Sequence, residues 1–129
     1  MSGERDPFEY ALIRVVPRVE RGEQINAGVL LYCQARDFLG ARVHLDETRL
    51  RALDPSADVA AMRAALRAWE MTCLGGEDAG PAGAQMSLGQ RFRWLTAPRS
   101  TVIQAGPVHT GLTDDPEADL DRLLDRLVR

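Results

Sequence analysis

Arginine is the residue type through which this sequence could bind a charged group. All 16 positively charged side chains of the 129-residue chain are arginines, and lysine is absent. This absence excludes a Schiff-base lysine, a lysine general base and the lysine of a Walker-type phosphate loop. Because guanidinium groups recognise carboxylates and phosphates through paired N–H donors, anion binding is the chemistry that the composition leaves open.

The first candidate site lies in two segments that read as neighbouring strands. Arg14 interrupts an apolar run, and polar Asn26 and Gly28 share one face of a later alternating segment. If Arg14 pairs with Asn26, the sheet face has a polar end, where Gly28 gives room for a ligand or another backbone. The alternative is structural: Arg14 forms an internal ion pair with Glu20 or Glu23 that closes the turn.

The second candidate site is a short segment in which arginine and aromatic residues interleave. Its members are Arg91, Arg93, Trp94 and Arg99. Such interleaving suits anions, nucleotides or single-stranded nucleic acid, which bind by ion pairing and stacking. The alternative is that Phe92 and Leu95 face the core and the arginines occupy the solvated side of a helix.

Catalytic groups are sparse. Nucleophilic serine chemistry needs a base and an orienting group, and Ser100, His109 and Asp114 lack the local context of a nucleophile elbow. An enzyme acting on a phosphorylated or carboxylate substrate would have to use Glu23 or His109 for proton transfer. The sequence therefore favours binding over catalysis, with the enzyme kept as the alternative.

No metal or cofactor is expected. Cys33 and Cys73 lack metal-ligand spacing, and we expect both to be buried or partly buried thiols. Two histidines and scattered carboxylates do not make a zinc site. No glycine-rich loop lies between a strand and a helix, which argues against a dinucleotide cofactor.

Charge and hydropathy limit the partners and the compartment. A net charge of -3 disfavours a domain held to nucleic acid mainly by phosphate neutralisation. The apolar runs are far shorter than the roughly 20 residues that span a bilayer. The first residues lack the apolar core of a signal peptide, so we expect a cytoplasmic location without membrane contact.

The elements that position these residues follow from periodicity and capping. Residues 8–16 are rich in aromatic and β-branched side chains, and apolar residues alternate over 23–33. A polar turn with Gly22 joins these two expected strands, and a third strand is expected at 38–45. Helices are expected after Asp46, after Ser56 or Asp58, from Ser87, and after Asp115, with a fourth strand over 100–105. Residues 77–85 read as a surface loop, and the segment around His109 also reads as a loop.

This order of elements predicts one α+β domain over residues 1–129. The sheet would be antiparallel, built from an N-terminal hairpin or meander plus a later strand, with the helices packed on one side.

The sequence resembles a bacterial family known as domain of unknown function 3037. The resemblance is carried by YALIRVVP at 10–17, GEQINAGV at 22–29, FRWL at 92–95 with Pro98 and Arg99, and the tail from 111 to 127. It implies that the family's motif positions map onto Arg14, Pro17, Glu23, Asn26, Gly28, Phe92, Trp94 and Arg99. It also implies a small stand-alone cytoplasmic protein. Some members are encoded beside kinase-like proteins of the HipA type, which implies a companion or regulatory subunit.

Together these observations predict a non-catalytic binding, partner or regulatory module. The expected anion-receptive surface comprises Arg14, Glu23, Asn26, Gly28, Arg91, Arg93, Trp94 and Arg99. Its expected partner is a protein, with a HipA-like kinase as one candidate, or a small anionic ligand. A nucleic-acid-binding regulator is the third hypothesis, after the enzyme.

Overall fold

The computed structural model describes residues 4–75 and 85–129, which contain five strands and four α-helices. The strands are β1 (Asp6–Val15), β2 (Ile25–Cys33), β3 (Phe38–Val43), β4 (Ile103–Ala105) and β5 (His109–Thr113). The helices are α1 (Glu47–Leu53), α2 (Val59–Leu74), α3 (Leu88–Thr96) and α4 (Pro116–Leu127), with a short 3-10 turn at Gln34–Arg36.

The strands form one antiparallel sheet in which β1 is central. β2 pairs with one side of β1, and β3 pairs with β2. The other side of β1 is shared: β4 pairs with Ile13 to Val15, and β5 pairs with Asp6 to Tyr10. The N-terminal hairpin and the meander are therefore confirmed, and the sheet edge opposite β3 consists of two short strands placed end to end.

A β-bulge lies where the first candidate site was expected. Ile13 pairs with Gly28 and Arg14 pairs with Asn26, so Ala27 is an extra residue on β2. The bulge changes the alternation of side chains, which places Gly28 and Asn26 on opposite faces of the sheet. A Cβ added at Gly28 would lie 2.7 Å from the carbonyl oxygen of Arg42, so the space at Gly28 is taken by the backbone of β3.

Both faces of the sheet are covered. On the first face, α1, α2 and α3 pack on a core that includes Ile13 and Leu30. On the second face, α4 packs on a core that includes Phe8 and Leu31. Strands that are buried on both faces read as continuous apolar runs, as β2 does around Leu30.

The α+β architecture with an antiparallel sheet and helices against it is confirmed. The one-sided arrangement expected for the helices holds for α1, α2 and α3, while α4 lies on the opposite face. Local pattern could not reveal this, because the apolar stripe of α4 fits either face equally well.

Helix starts agree closely with the sequence analysis, because capping is local. Asp46, Asp58 and Asp115 each accept a hydrogen bond from the backbone N–H three residues ahead. Ser87 and Gln90 form the expected capping box. The loop expected over 77–85 lies, except for Gln85, outside the described residues.

Two segments differ from the expectation. The loop expected around His109 is strand β5, which forms because β1 offers a free edge there. The expected strand over 100–105 is shorter, since the Thr101 hydroxyl donates to the Ile103 carbonyl at 2.7 Å and turns the chain before β4.

Cys33 and Cys73 are free and buried, as expected. Burial raises the pKa of the Cys73 thiol to about 12, which keeps it protonated. In the part of the chain that the structure describes, no cluster of three histidine, cysteine or acidic residues could hold a metal ion. None of the described helices is long and apolar enough to cross a membrane.

Candidate anion-binding cleft

Arg14 lies beside the break between β4 and β5. Its guanidinium packs on Gly106, where an added Cβ would be only 2.9 Å from Cζ of Arg14. Gly106 is fixed in turn, since its N–H donates to the carbonyl oxygen of Leu12 at 2.8 Å. The Nε of Arg14 is buried, and it has no hydrogen-bond partner among the described residues. Buried polar atoms normally have a partner, so this one stands out.

A cleft of about 330 Å³ opens at this position. Its polar lining comes from Arg14, Thr96, Arg99 and Gln104, and its remaining lining from Pro98, Ala105, Gly106, Pro107 and Val108. None of the described residues that line the cleft is acidic. Two guanidinium groups therefore give it a positive potential, although the chain as a whole has a net charge of -3.

Arg99 is held in place by two indole rings. Its Cζ lies 5.3 Å from the ring centre of Trp69 and 4.9 Å from that of Trp94. Its guanidinium also donates to the carbonyl oxygen of Trp94. Within the described residues no carboxylate forms an ion pair with Arg99 or with Arg14. The indoles orient the charge of Arg99 without neutralising it.

The charged donors left for a ligand are the guanidinium N–H groups. The Thr96 hydroxyl donates to the Phe92 carbonyl at 2.9 Å, and the Gln104 amide donates to the Thr101 carbonyl at 2.8 Å. A carboxylate or phosphate accepts hydrogen bonds and carries negative charge, so it complements the two arginines.

Arg91 lies elsewhere and has a structural environment. It is buried, and its guanidinium donates to the carbonyls of Thr72 at 3.1 Å, Cys73 at 2.8 Å and Met86 at 3.2 Å. The first two carbonyls belong to the last turn of α2, where they lack helical partners. Arg91 thus closes the end of α2 instead of lining the cleft.

Arg93 also lies outside the cleft lining. Its two terminal nitrogens donate to the two carboxylate oxygens of Glu9 at 2.8 and 2.7 Å. Hydrogen bonding to Glu9 raises the pKa of Arg93 above its ordinary value. Arg93 therefore already has the carboxylate that Arg14 and Arg99 lack.

The remaining hairpin residues point away from the cleft. Asn26 donates to the Leu127 carbonyl at 3.1 Å and so ties β2 to the end of α4. Glu23 pairs with Arg21 at 2.6 Å, a hydrogen bond that lowers the pKa of Glu23. The alternative ion pair between Arg14 and Glu20 or Glu23 is absent from the described residues.

His109 is exposed on β5, where its ring lies 5.4 Å from that of Tyr10. Neither His109 nor Glu23 lines the cleft with Arg14 and Arg99. In the described part of the chain, no hydrogen bond links Ser100, His109 and Asp114. The groups considered for proton transfer and the two unpaired arginines therefore occupy different places.

The sequence pointed to Arg14, Trp94 and Arg99, but not to the residues that hold the two arginines in place. Trp69 lies within α2 and Gly106 directly follows β4, and neither was among the predicted site residues. The pair Gly106-Pro107 was the available signal, because glycine and proline together mark an interruption of a strand.

Fold and cleft together define a small α+β protein with an arginine-lined cleft at a break in its sheet edge. A family model described as protein of unknown function (DUF3037) matches residues 10–128, nearly the whole chain. The chain belongs to this family, as the resemblance indicated. No curated protein and no solved structure matches it.

Proposed function

We propose that this protein is a non-catalytic binding module whose cleft takes a carboxylate or phosphate group of its partner. The observation that carries the proposal is the environment of Arg14, which lines a cleft whose described lining is free of acidic residues and whose buried Nε has no hydrogen-bond partner in the described residues. An unpaired donor on a charged group costs roughly 1–3 kcal/mol or more, and the negative charge of an anion beside the same guanidinium would offset this cost.

The contrast with other arginines supports the assignment. Arg21, Arg36 and Arg42 all meet carboxylates at the surface. Arg14 and Arg99 are held by a glycine and by two indoles instead, which leaves their charges available to an external group.

The anionic group would come from a protein partner, for which this chain serves as a bacterial, cytoplasmic accessory or regulatory subunit. A kinase-like protein of the HipA type is the first partner to test, because the family resemblance implies it. A small anionic ligand would use the same two arginines. The acidic net charge and the small cleft argue against nucleic acid as the main partner.

The binding chemistry can be tested by NMR titration of the ¹⁵N-labelled protein with inorganic phosphate. We expect shifts of the backbone amides of Thr96, Gln104 and Gly106, and loss of these shifts in Arg14→Gln and Arg99→Gln. Arg63→Gln is the matched control, since Arg63 is an exposed arginine on α2 outside this cleft. The proposal is wrong if phosphate shifts these amides equally in the parent and in all three variants.

The partner can be tested by affinity capture from the native host, followed by binding of the purified candidate. Parent protein should recover the partner, and Arg14→Ala with Arg99→Ala should recover much less. If mutant and parent recover the same protein equally, the cleft is not the recognition site. Purified HipA-like kinase provides the direct test of the first candidate.

A further inference from the structure

The backbone of the outer edge of β5 has no hydrogen-bond partner among the described residues. On β1, the Leu12 carbonyl accepts from the Gly106 N–H, so the even-numbered residues of β1 direct their backbone groups toward β5. Pro7, which has no N–H, therefore forms a non-hydrogen-bonded pair with Leu112. The hydrogen-bonded pairs must then be Phe8 with Gly111 and Tyr10 with His109. It follows that Thr110 and Leu112 direct their N–H and C=O groups away from β1, toward the outside of the sheet.

This edge lacks the features that keep strand edges from pairing. Residues 108–113 contain no charged aspartate, glutamate, lysine or arginine. Val108 and Leu112 are 39% and 58% exposed although both are apolar. Natural edge strands are usually protected by charged side chains, proline or bulges.

The opposite edge of the sheet, formed by β3, is protected by the side chain of Arg42. On β3, the Arg42 guanidinium donates to the carbonyl oxygen of Ala41 at 3.2 Å. The same guanidinium pairs with Glu117 and Asp121 of α4. An incoming strand would have to displace these contacts, whereas nothing comparable covers Thr110 among the described residues.

We propose that β5 pairs antiparallel with β5 of a second copy of this chain, about a two-fold axis at Thr110. In this register Thr110 faces Thr110 of the other copy, and Val108 faces Leu112 on both sides of the axis. Side chains at every second position of a strand point to the same side, so these three share one face of the sheet. Threonine pairs and aliphatic pairs are favourable cross-strand neighbours, and the contact is self-complementary, as a two-fold interface requires.

Charge favours a second copy as the occupant. Identical uncharged edges meet without like-charge repulsion. The first charged residue beyond the edge, Asp114, falls opposite Gly106 of the other copy, where the nearest guanidinium is that of Arg14. Opposite charges therefore flank the contact. The backbone hydrogen bonds of the pairing involve neither Arg14 nor Arg99, and Arg14 only flanks the contact, so the pairing does not depend on the proposed function.

Charge reversal at the axis tests this register. Thr110→Lys places two lysines face to face, and Thr110→Glu places two glutamates face to face. Each variant alone should weaken self-association by about tenfold or more, measured by sedimentation velocity over a wide concentration range. An equimolar mixture of the two should associate again, because lysine then faces glutamate.

Leu127→Lys is the control, because it introduces a lysine at an exposed position of α4, away from β5. It should leave self-association unchanged, and circular dichroism checks that every variant is folded. The inference is overturned if the parent is monomeric at all concentrations, or if both Thr110 variants associate like the parent. Binding of phosphate by the Thr110 variants separates failure here from failure of the cleft, since Thr110 does not line it.

Discussion

Neighbouring arginines of one short segment have three different environments in this protein. Arg91 is buried against backbone carbonyls, Arg93 is exposed and paired with Glu9, and Arg99 lies between Trp69 and Trp94. Burial and partner determine what each guanidinium contributes. A buried charge with several hydrogen bonds is needed for stability, an exposed ion pair contributes little, and an oriented charge without a carboxylate is available for binding.

Substitution of Arg91 and Arg93 separates the first two environments. Arg91→Met leaves the carbonyls of Thr72, Cys73 and Met86 without their donor, and we expect a loss of about 2–3 kcal/mol in the free energy of unfolding. Arg93→Met removes an exposed ion pair, for which we expect a loss within about 1 kcal/mol. Urea denaturation of both variants provides the measurement. Equal losses would show that Arg91 is not the main tie at the end of α2.

At the scale of elements, the second face of the sheet depends on one helix. Leu120 and Leu124 of α4 are buried against Leu31 and its neighbours, whereas Leu127 is 38% exposed. Among the described helices, α1, α2 and α3 cover the first face, and α4 is the one that shields the second face from water. The stability of the sheet should therefore be sensitive to the packing of this helix.

Shortening a buried side chain of α4 tests that dependence. Leu120→Ala should lower the free energy of unfolding by about 2–5 kcal/mol, because it removes buried methyl groups and leaves a cavity. Leu127→Ala changes the same helix at an exposed position and should cost less than about 1 kcal/mol. Calorimetry of the two variants gives both values. A small loss for Leu120→Ala would mean that α4 packs only loosely.

Elements set by local sequence could be predicted, and those set by distant pairing could not. The capping residues Ser87 and Asp115 and the turn at Gly22 act within a few residues of themselves. In contrast, β5 is a strand only because β1 has a free edge beside it. The pairing of Arg14 with Asn26 was within reach of the sequence, but the bulge at Ala27 that separates Gly28 from them was not.

The candidate site divides in the same way. Arginine among apolar and aromatic residues pointed to Arg14 and Arg99, which the fold does bring to one cleft. The same pattern also pointed to Arg91 and Arg93, and no feature of a single sequence distinguishes an arginine that caps a buried helix end from one that faces a ligand. That difference arises from tertiary burial.

At the scale of the whole molecule, a positive cleft lies in an acidic protein. Any salt screens the mutual repulsion of the excess acidic groups, so chloride and phosphate should both raise the melting temperature somewhat. Binding in the cleft adds a second effect that depends on the anion, because a ligand that binds only the folded state stabilises it by mass action.

Thermal unfolding at matched ionic strength therefore separates general screening from binding in the cleft. At a phosphate concentration 100 times the dissociation constant, binding stabilises the folded protein by about 2.7 kcal/mol, which corresponds to a melting temperature several degrees higher than in chloride.

Gly106→Ala should abolish most of this additional rise in melting temperature while keeping the fold. The nearest group to the new Cβ is the flexible end of Arg14, at 2.9 Å, so the substitution would displace that guanidinium. If Gly106→Ala retains the full phosphate effect, the position of the Arg14 guanidinium on Gly106 does not determine anion binding. If it loses the effect together with the fold, Arg14→Gln repeats the measurement without changing the backbone contact between Gly106 and Leu12.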